Sequence, residues 1–178
     1  MALCAMAVVP RVARVCDKTR SGRRWPGALT YVRDVPRRPR HLLGDGTYHV
    51  TARGVARSEI FLDDRDYEAF VFLLRDAVER FEWTPCAFCL MPNHVHLVVS
   101  ATRERLSAGM HRLNCLYAMR FNERYDRPGH LFQNRFDARL IEGDRHTRAV
   151  CGYVLNNPVR ARLCRDRRHW PWSGLGAL

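Results

Sequence analysis

Leu90-Met91-Pro92-Asn93-His94-Val95-His96-Leu97-Val98-Val99 is the stretch that decides the fold. An apolar, β-branched run that follows a Pro-Asn turn reads as a strand. Strand side chains alternate between two faces, so His94 and His96 share one face. Val95, Leu97 and Val99 take the other face and call for a core. Two imidazoles side by side on a rigid strand can hold one divalent ion. An H-x-H pair by itself is more often two half-buried histidines, so the rest of the chain has to support the chemical reading.

Working outward, residues 83–90 form a second strand. The Met91-Pro92-Asn93 link to the first is short enough only for an antiparallel hairpin. Upstream, Gly46–Gly54 reads as a strand, and Asp63 caps a helix with Tyr67, Phe70, Val71, Leu74, Ala77, Val78 and Phe81 at helical spacing. Downstream, Leu106, Met110, Leu113, Leu116, Tyr117 and Phe121 share a helical face, and Pro128-Gly129 breaks that helix. Leu131–Ile141 alternates as a strand. Asp144 can cap a third helix, which must end near Pro158. The order β-α-β-β-α-β-α is α+β, ferredoxin-like in connectivity: an antiparallel sheet with two helices on one face. The third helix is the element left to meet the histidine face. Residues 46–178 make a single domain, and residues 1–45, rich in Arg, Pro and Gly without a sustained period, read as a flexible basic extension.

The chain of 178 residues carries a net charge of +12, unevenly spread. Residues 1–45 hold ten basic and three acidic side chains, 46–100 five and eight, and 101–178 fifteen and seven. A basic tail and a basic C-terminal half suggest a polyanionic partner. Lys18 is the only lysine; a GC-rich genome is the main reason for the arginine bias but does not explain the sign of the charge, and arginine also suits phosphate contacts. Seven scattered cysteines do not form a disulfide framework and point to a reducing compartment. Cys86 and Cys89 make a C-x-x-C, but in a strand positions three apart face opposite sides, which argues against zinc. No apolar run approaches membrane-spanning length, and Met1–Pro10 lacks the basic flank of a secretory signal.

On the third helix, Tyr153 and Asn157 lie four apart and share a face. If that face meets the open side of the sheet, a phenol and an amide oxygen arrive beside His94 and His96. That is a plausible phosphoryl-transfer site, in which a tyrosine oxygen attacks phosphorus in line. Tyr117 and Tyr125 are rival nucleophiles; Tyr117 lies on an apolar stripe, whereas Tyr125 stands near a helix break. Gln133 and Arg135 share a strand face and could contact phosphate or bases. His130 is a candidate for contact with the polyanionic partner or for capping a turn. Arg160, Arg162, Arg165, Arg167 and Arg168 cluster just after the active-site helix and favour phosphate contact. Trp170 and Trp172 pin the C-terminus or stack on bases, with pinning preferred.

The run from Met91 to Val98 resembles the histidine–hydrophobe–histidine (HUH) motif of single-tyrosine transposases. Gly129–Phe136, Tyr153–Val159 and Trp170–Ser173 resemble further blocks of the same family, in the same order. The match is to REP-associated tyrosine transposases, relatives of small insertion-sequence transposases, and covers about Gly46 to Ser173. The resemblance implies the HUH endonuclease fold and a bacterial, cytoplasmic, nucleoid-associated enzyme. It implies a metal-dependent endonuclease and strand transferase that cuts single-stranded or hairpin DNA, leaving a 5′-phosphotyrosine and a free 3′-hydroxyl. It makes Tyr153 the nucleophile, His94 and His96 metal ligands, and Asn157 the third ligand, where the family often carries glutamine. It implies Mg²⁺ or Mn²⁺, whereas two imidazoles alone suit softer metals. It allows a homodimer, with the Tyr153 helix packing in cis or in trans. The alternatives are a non-catalytic nucleic-acid-binding relative, a phosphodiesterase that uses water, and a zinc-stabilised structural protein. A covalent DNA adduct separates the first enzyme from all of them.

Deleting residues 1–40 should leave the fold and the chemistry in place, since that segment has no periodic apolar face to bury. DNA affinity should fall, more at low salt than at high salt, because its cations act by counterion release. Circular dichroism and filter binding at two ionic strengths check both.

Overall fold

The structure is a computed structural model that describes residues 44–176. All but the last two residues of the expected 1–45 extension lie outside the described residues. In chain order the elements are β1 (Gly46–Arg53), α1 (Asp64–Arg80), β2 (Thr84–Met91), β3 (His94–Ala101), α2 (Arg103–Arg124), β4 (Asp137–Ile141), α3 (Asp144–Leu155), the single turn α4 (Asn157–Arg160) and β5 (Ser173–Leu175). The strands form one five-stranded sheet in the order β4-β1-β3-β2-β5. Every pairing is antiparallel. This is the α+β, ferredoxin-like arrangement expected from the sequence, with one strand added at the β2 edge.

The two-residue period of β3 divides the molecule into two cores. Val95, Leu97 and Val99 are buried under α1 and α2, together with Tyr48, Val50 and Ala52 of β1. The helices form as their sequences dictate. The Asp63 carboxylate accepts from Asp66 N–H at the start of α1, and Phe70, Leu74 and Ala77 face the sheet. Thr102 caps α2 in the same way, and Leu106, Met110, Leu113, Tyr117 and Phe121 form its buried stripe. The far ends of the two helices are tied by Arg124, which pairs with Asp63 and, at 2.6 Å, with Asp66.

On the other face α3 packs over a smaller core of Ala87, Cys89, Met91, Val98, Ile141, Cys151 and Val154. The helix stops at Leu155, with Asn156 as its C-cap, and the separate turn α4 begins at Asn157 with Pro158 in its first turn. Gly143, not Asp144, occupies the N-cap position of α3.

Three expectations change. The strand predicted over Leu131–Ile141 begins only at Asp137, preceded by an isolated bridge between Gly54 and Phe132. Leu131 and Phe136 both enter the main core. An odd spacing of five would put them on opposite faces of a strand, so the chain bends between them. A register shift between Pro85 and Ala87 lets Cys86 pack against the same small core as Cys89, so the two cysteines are not on opposite faces. The strand β5 was not expected; it pairs with β2 and seats the tryptophans. Trp170 Nε1 donates to Leu90 O at 3.1 Å, and Trp172 stacks on Tyr67 with centroids 4.7 Å apart. Both therefore pin the C-terminus.

Gly109 in α2 allows Trp83 to approach closely. A Cβ there would lie 2.4 Å from Trp83 Cζ2 and 2.9 Å from Phe81 Cδ2. Gly109→Ala gains ~1 kcal/mol in helix propensity, but overpacking costs roughly 1–3 kcal/mol. The variant should be destabilised on balance, read as a lower urea midpoint with an unchanged slope.

Candidate active site

The histidine face is built by the register of two strands, β1 and β3, rather than by β3 alone. Thr51 of β1 stands opposite His96, and His49 opposite Val98. His49 is therefore the diagonal neighbour of His96 on the same face. Its Nε2 lies 3.0 Å from His96 Nδ1, and the rings stack with centroids 5.2 Å apart. The His94 ring meets His96 edge-on at 4.8 Å.

The small core beneath α3 sets the height of the helix above the sheet. Cys151, Val154 and Leu155 are buried, and Tyr153 remains 42% exposed. Its ring stands edge-on to His49 at 6.3 Å and to His96 at 6.2 Å. The guanidinium carbon of Arg160 lies 5.0 Å from the centre of the Tyr153 ring, a cation–π arrangement. The structure thus gathers His94, His96 and Tyr153, sets Arg160 of the expected arginine cluster against the Tyr153 ring, and adds His49. His96 is not on an open face: it is only 7% exposed.

Each β3 histidine has one ring nitrogen already engaged. Asn93 Nδ2 donates to Arg57 O at 3.1 Å, which turns Asn93 Oδ1 toward His94. His94 Nδ1 donates to that oxygen at 2.6 Å, so the proton sits on Nδ1 and Nε2 keeps its lone pair. Burial, helped by the Arg53 charge, depresses the His94 pKa to about 4. Burial, then the neighbouring His94, His49 and Arg53, depresses that of His96 to about 3. His49 is lowered too, by burial and by Arg139, against the opposing pull of Asp137. The three imidazoles are neutral at neutral pH, the form that can ligate a metal.

Asn157 opens α4 just past the end of α3, and its Nδ2 donates back to Tyr153 O at 3.2 Å and Val154 O at 3.3 Å. Only Oδ1 is left to face a ligand. Among the described residues, no three of His, Cys, Asp and Glu gather as a metal-binding cluster. The groups that could hold an ion are the two imidazoles, with the Asn157 amide oxygen one helix turn beyond Tyr153; such a set would suit a divalent cation whose remaining ligands are water or phosphate oxygens.

The other sequence candidates separate. Gln133 donates its backbone N–H to Arg53 O at 2.8 Å, at the end of β1 that pairs with His94. Arg135 instead lines a cavity of about 660 Å³ with Tyr48, Phe136 and the first turns of α2. The two do not share a strand face, because the chain is not a strand there. His130 and Arg162 are exposed. Both rival tyrosines are held on the α1/α2 side. Tyr117 O–H donates to Ile60 O at 2.5 Å, and burial raises its pKa far above the ordinary value. Tyr125 O–H donates to Asp66 at 2.9 Å, and burial followed by Asp66 pushes it up to about 12.

Sequence profiles of known families carry the comparison further. The profile described as "Transposase IS200 like" matches residues 44–157, and the chain belongs to that family. Membership makes it a transposase, by class a DNA-cleaving enzyme. Comparison with curated proteins finds no match. Among solved structures, a REP-associated tyrosine transposase bound to a REP hairpin is similar at a TM-score of 0.61 and 18% identity, over 74% of this chain and 77% of that one. A candidate transposase from Deinococcus radiodurans R1 aligns at a TM-score of 0.45 and 20% identity, over 67% of this chain and 95% of that one. The first likeness shows the shared fold. Among the described residues no helix is long and apolar enough to cross a membrane.

A histidine whose folded pKa lies below its unfolded value of ~6.5 binds its proton more readily in the unfolded chain. Stability from His94 and His96 is therefore full above pH ~6.5 and is lost as pH falls toward their folded values of about 4 and about 3. The metal-free protein should show a thermal midpoint that drops between pH 7 and pH 4. The drop should be smaller in a His94→Gln, His96→Gln double variant, as scanning calorimetry would show.

Proposed function

We propose that the enzyme is a divalent-metal-dependent transposase that nicks single-stranded DNA through Tyr153, at sites flanked by hairpins. The observation that carries this reading is the Tyr153 ring standing edge-on to His49 and His96 under the Arg160 guanidinium. In this reading Nε2 of His94, Nε2 of His96 and Oδ1 of Asn157 hold Mg²⁺ or Mn²⁺. The ion, when bound, polarises the scissile phosphodiester and offsets charge that develops on it.

The side chains do the rest. Tyr153 Oη attacks phosphorus in line, forms a 5′-phosphotyrosine and releases the 3′-hydroxyl of the flanking nucleotide. Its partial exposure gives the phenolic proton a route to solvent. Arg160 keeps the ring oriented before attack, and its guanidinium can donate to a phosphoryl oxygen. Arg162, Arg165 and Arg167 are exposed along the chain that follows and supply phosphate contacts. In this reading His130, Gln133, which lies next to the His94 end of β1, and Arg135 are further DNA contacts. The similar transposase bound to a REP hairpin supports hairpin DNA as the partner. Residues 46–178 form the catalytic domain, with the basic extension adding affinity.

Tyr153→Phe removes one oxygen and keeps the ring over the histidines. DNA binding should survive, whereas cleavage and the denaturation-resistant protein–DNA band should vanish. Tyr117→Phe and Tyr125→Phe should still form the band. The assay is incubation with a single-stranded hairpin oligonucleotide and Mn²⁺, followed by a denaturing gel and peptide mapping. A DNA-linked peptide that contains Tyr125 and lacks Tyr153 would overturn the reading.

A further inference from the structure

His49 belongs to none of the motifs that point to the site, yet its ring touches both halves of it. Its Nε2 is 3.0 Å from His96 Nδ1, and its ring lies 6.3 Å from that of Tyr153. Two neutral imidazoles at that separation share a single proton between the facing nitrogens. The proton belongs to His96 Nδ1 or to His49 Nε2. In the first case His96 Nε2 has a lone pair. In the second case His96 must carry its proton on Nε2, which closes that atom to a cation.

His94 has no such choice, because Asn93 Oδ1 is turned toward it by Arg57 O and can only accept. His49 stands to His96 as Asn93 stands to His94: each faces the Nδ1 atom and leaves Nε2 pointing away. His49 is not a third ligand. Its Nε2 is committed to His96, and among the described residues no three of His, Cys, Asp and Glu gather as a metal-binding cluster.

We propose that His49 is a positioning residue: its Nε2 accepts the Nδ1 proton of His96 and so keeps His96 Nε2 open for the divalent ion. The assignment rests on the metal reading given above. Partners of this kind orient a ligating histidine and fix its tautomer, and their loss typically weakens metal affinity ~10–100-fold.

The test uses the full chain in three forms: wild type, His49→Phe, which keeps a stacking ring without nitrogens, and His49→Gln, whose Oε1 can accept the same proton. Nitrogen-15 spectra of the metal-free proteins report which nitrogen of His96 is protonated, and calorimetry reports Mn²⁺ affinity. The expected result is an Nδ1–H tautomer in the wild type and a shift toward Nε2–H in His49→Phe. Mn²⁺ should bind ~10–100-fold more weakly to His49→Phe, and His49→Gln should restore both properties. An Nε2–H tautomer in the metal-free wild type overturns the proposal. So does a His49→Phe protein with unchanged tautomer and affinity. If His49→Phe fails to fold, the wild-type tautomer and the His49→Gln affinity still decide. Wild-type protein that shows Nδ1–H yet binds no Mn²⁺ overturns the metal reading instead, and the spectra distinguish that result from failure of the His49 contact.

Discussion

The structure depends on the alternation of β3, held between β1 and β2 on both sides. Its odd-numbered side chains from Val95 to Val99 fill the main core, and its even-numbered ones from His94 to Val98 face α3. A slip of one residue would drive two histidines into the apolar core and turn three aliphatic side chains out of it. Pairing along the full lengths of β1 and β3 makes that slip prohibitive. One register therefore sets both the main core and the spacing of the histidines, so that folding and site assembly are a single event.

The two faces are unequal in a way that suits a catalyst. The main core is deep and locked at its rim, where Arg124 and the Tyr125 hydroxyl converge on Asp66. The α3 face is thinner and carries small or polarisable side chains such as Ala87, Cys89, Met91 and Cys151. It ends in the histidine cluster, where packing gives way to ring edges and nitrogen atoms. The rigid half holds β3 in place, and the thin half brings one helix to a defined height above it.

Most of the fold was legible because its elements carry strong periods. The stripes of α1 and α2 and the alternation of β3 each admit one interpretation, and the order of elements then admits few topologies. The site was legible as far as it lies along single elements: His94 with His96 on a strand, Tyr153 with Asn157 on a helix. His49 was not, although its strand was identified. A cross-strand neighbour depends on register, and nothing in Gly46–Arg53 alone says which residue of β3 it faces. Arg160 was visible only as one of a run of arginines; the separate turn α4 is what returns it to Tyr153. The segment from Leu131 to Phe136 misled because its mixed apolar and polar residues pass for alternation, while the odd spacing of its two core residues is met only by a bend; β5 is only three residues long, too short to carry a pattern.

The neutrality of the histidine cluster has a consequence in charge. Imidazoles and an amide bring no negative charge to a cation, unlike the carboxylates that usually retain magnesium or manganese. Residues 101–178, which include the Tyr153 helix, hold fifteen basic and seven acidic side chains. A divalent ion entering alone would have its ligands but no counter-charge. Under the proposed function a phosphodiester would supply that charge, and the ion would in turn give the phosphodiester a reason to sit at the tyrosine instead of elsewhere on a basic surface. Under the proposed function, ion and nucleic acid then raise each other's affinity by the same factor, as linkage requires. The enzyme would be armed by its substrate, and its idle form would hold little metal to misuse.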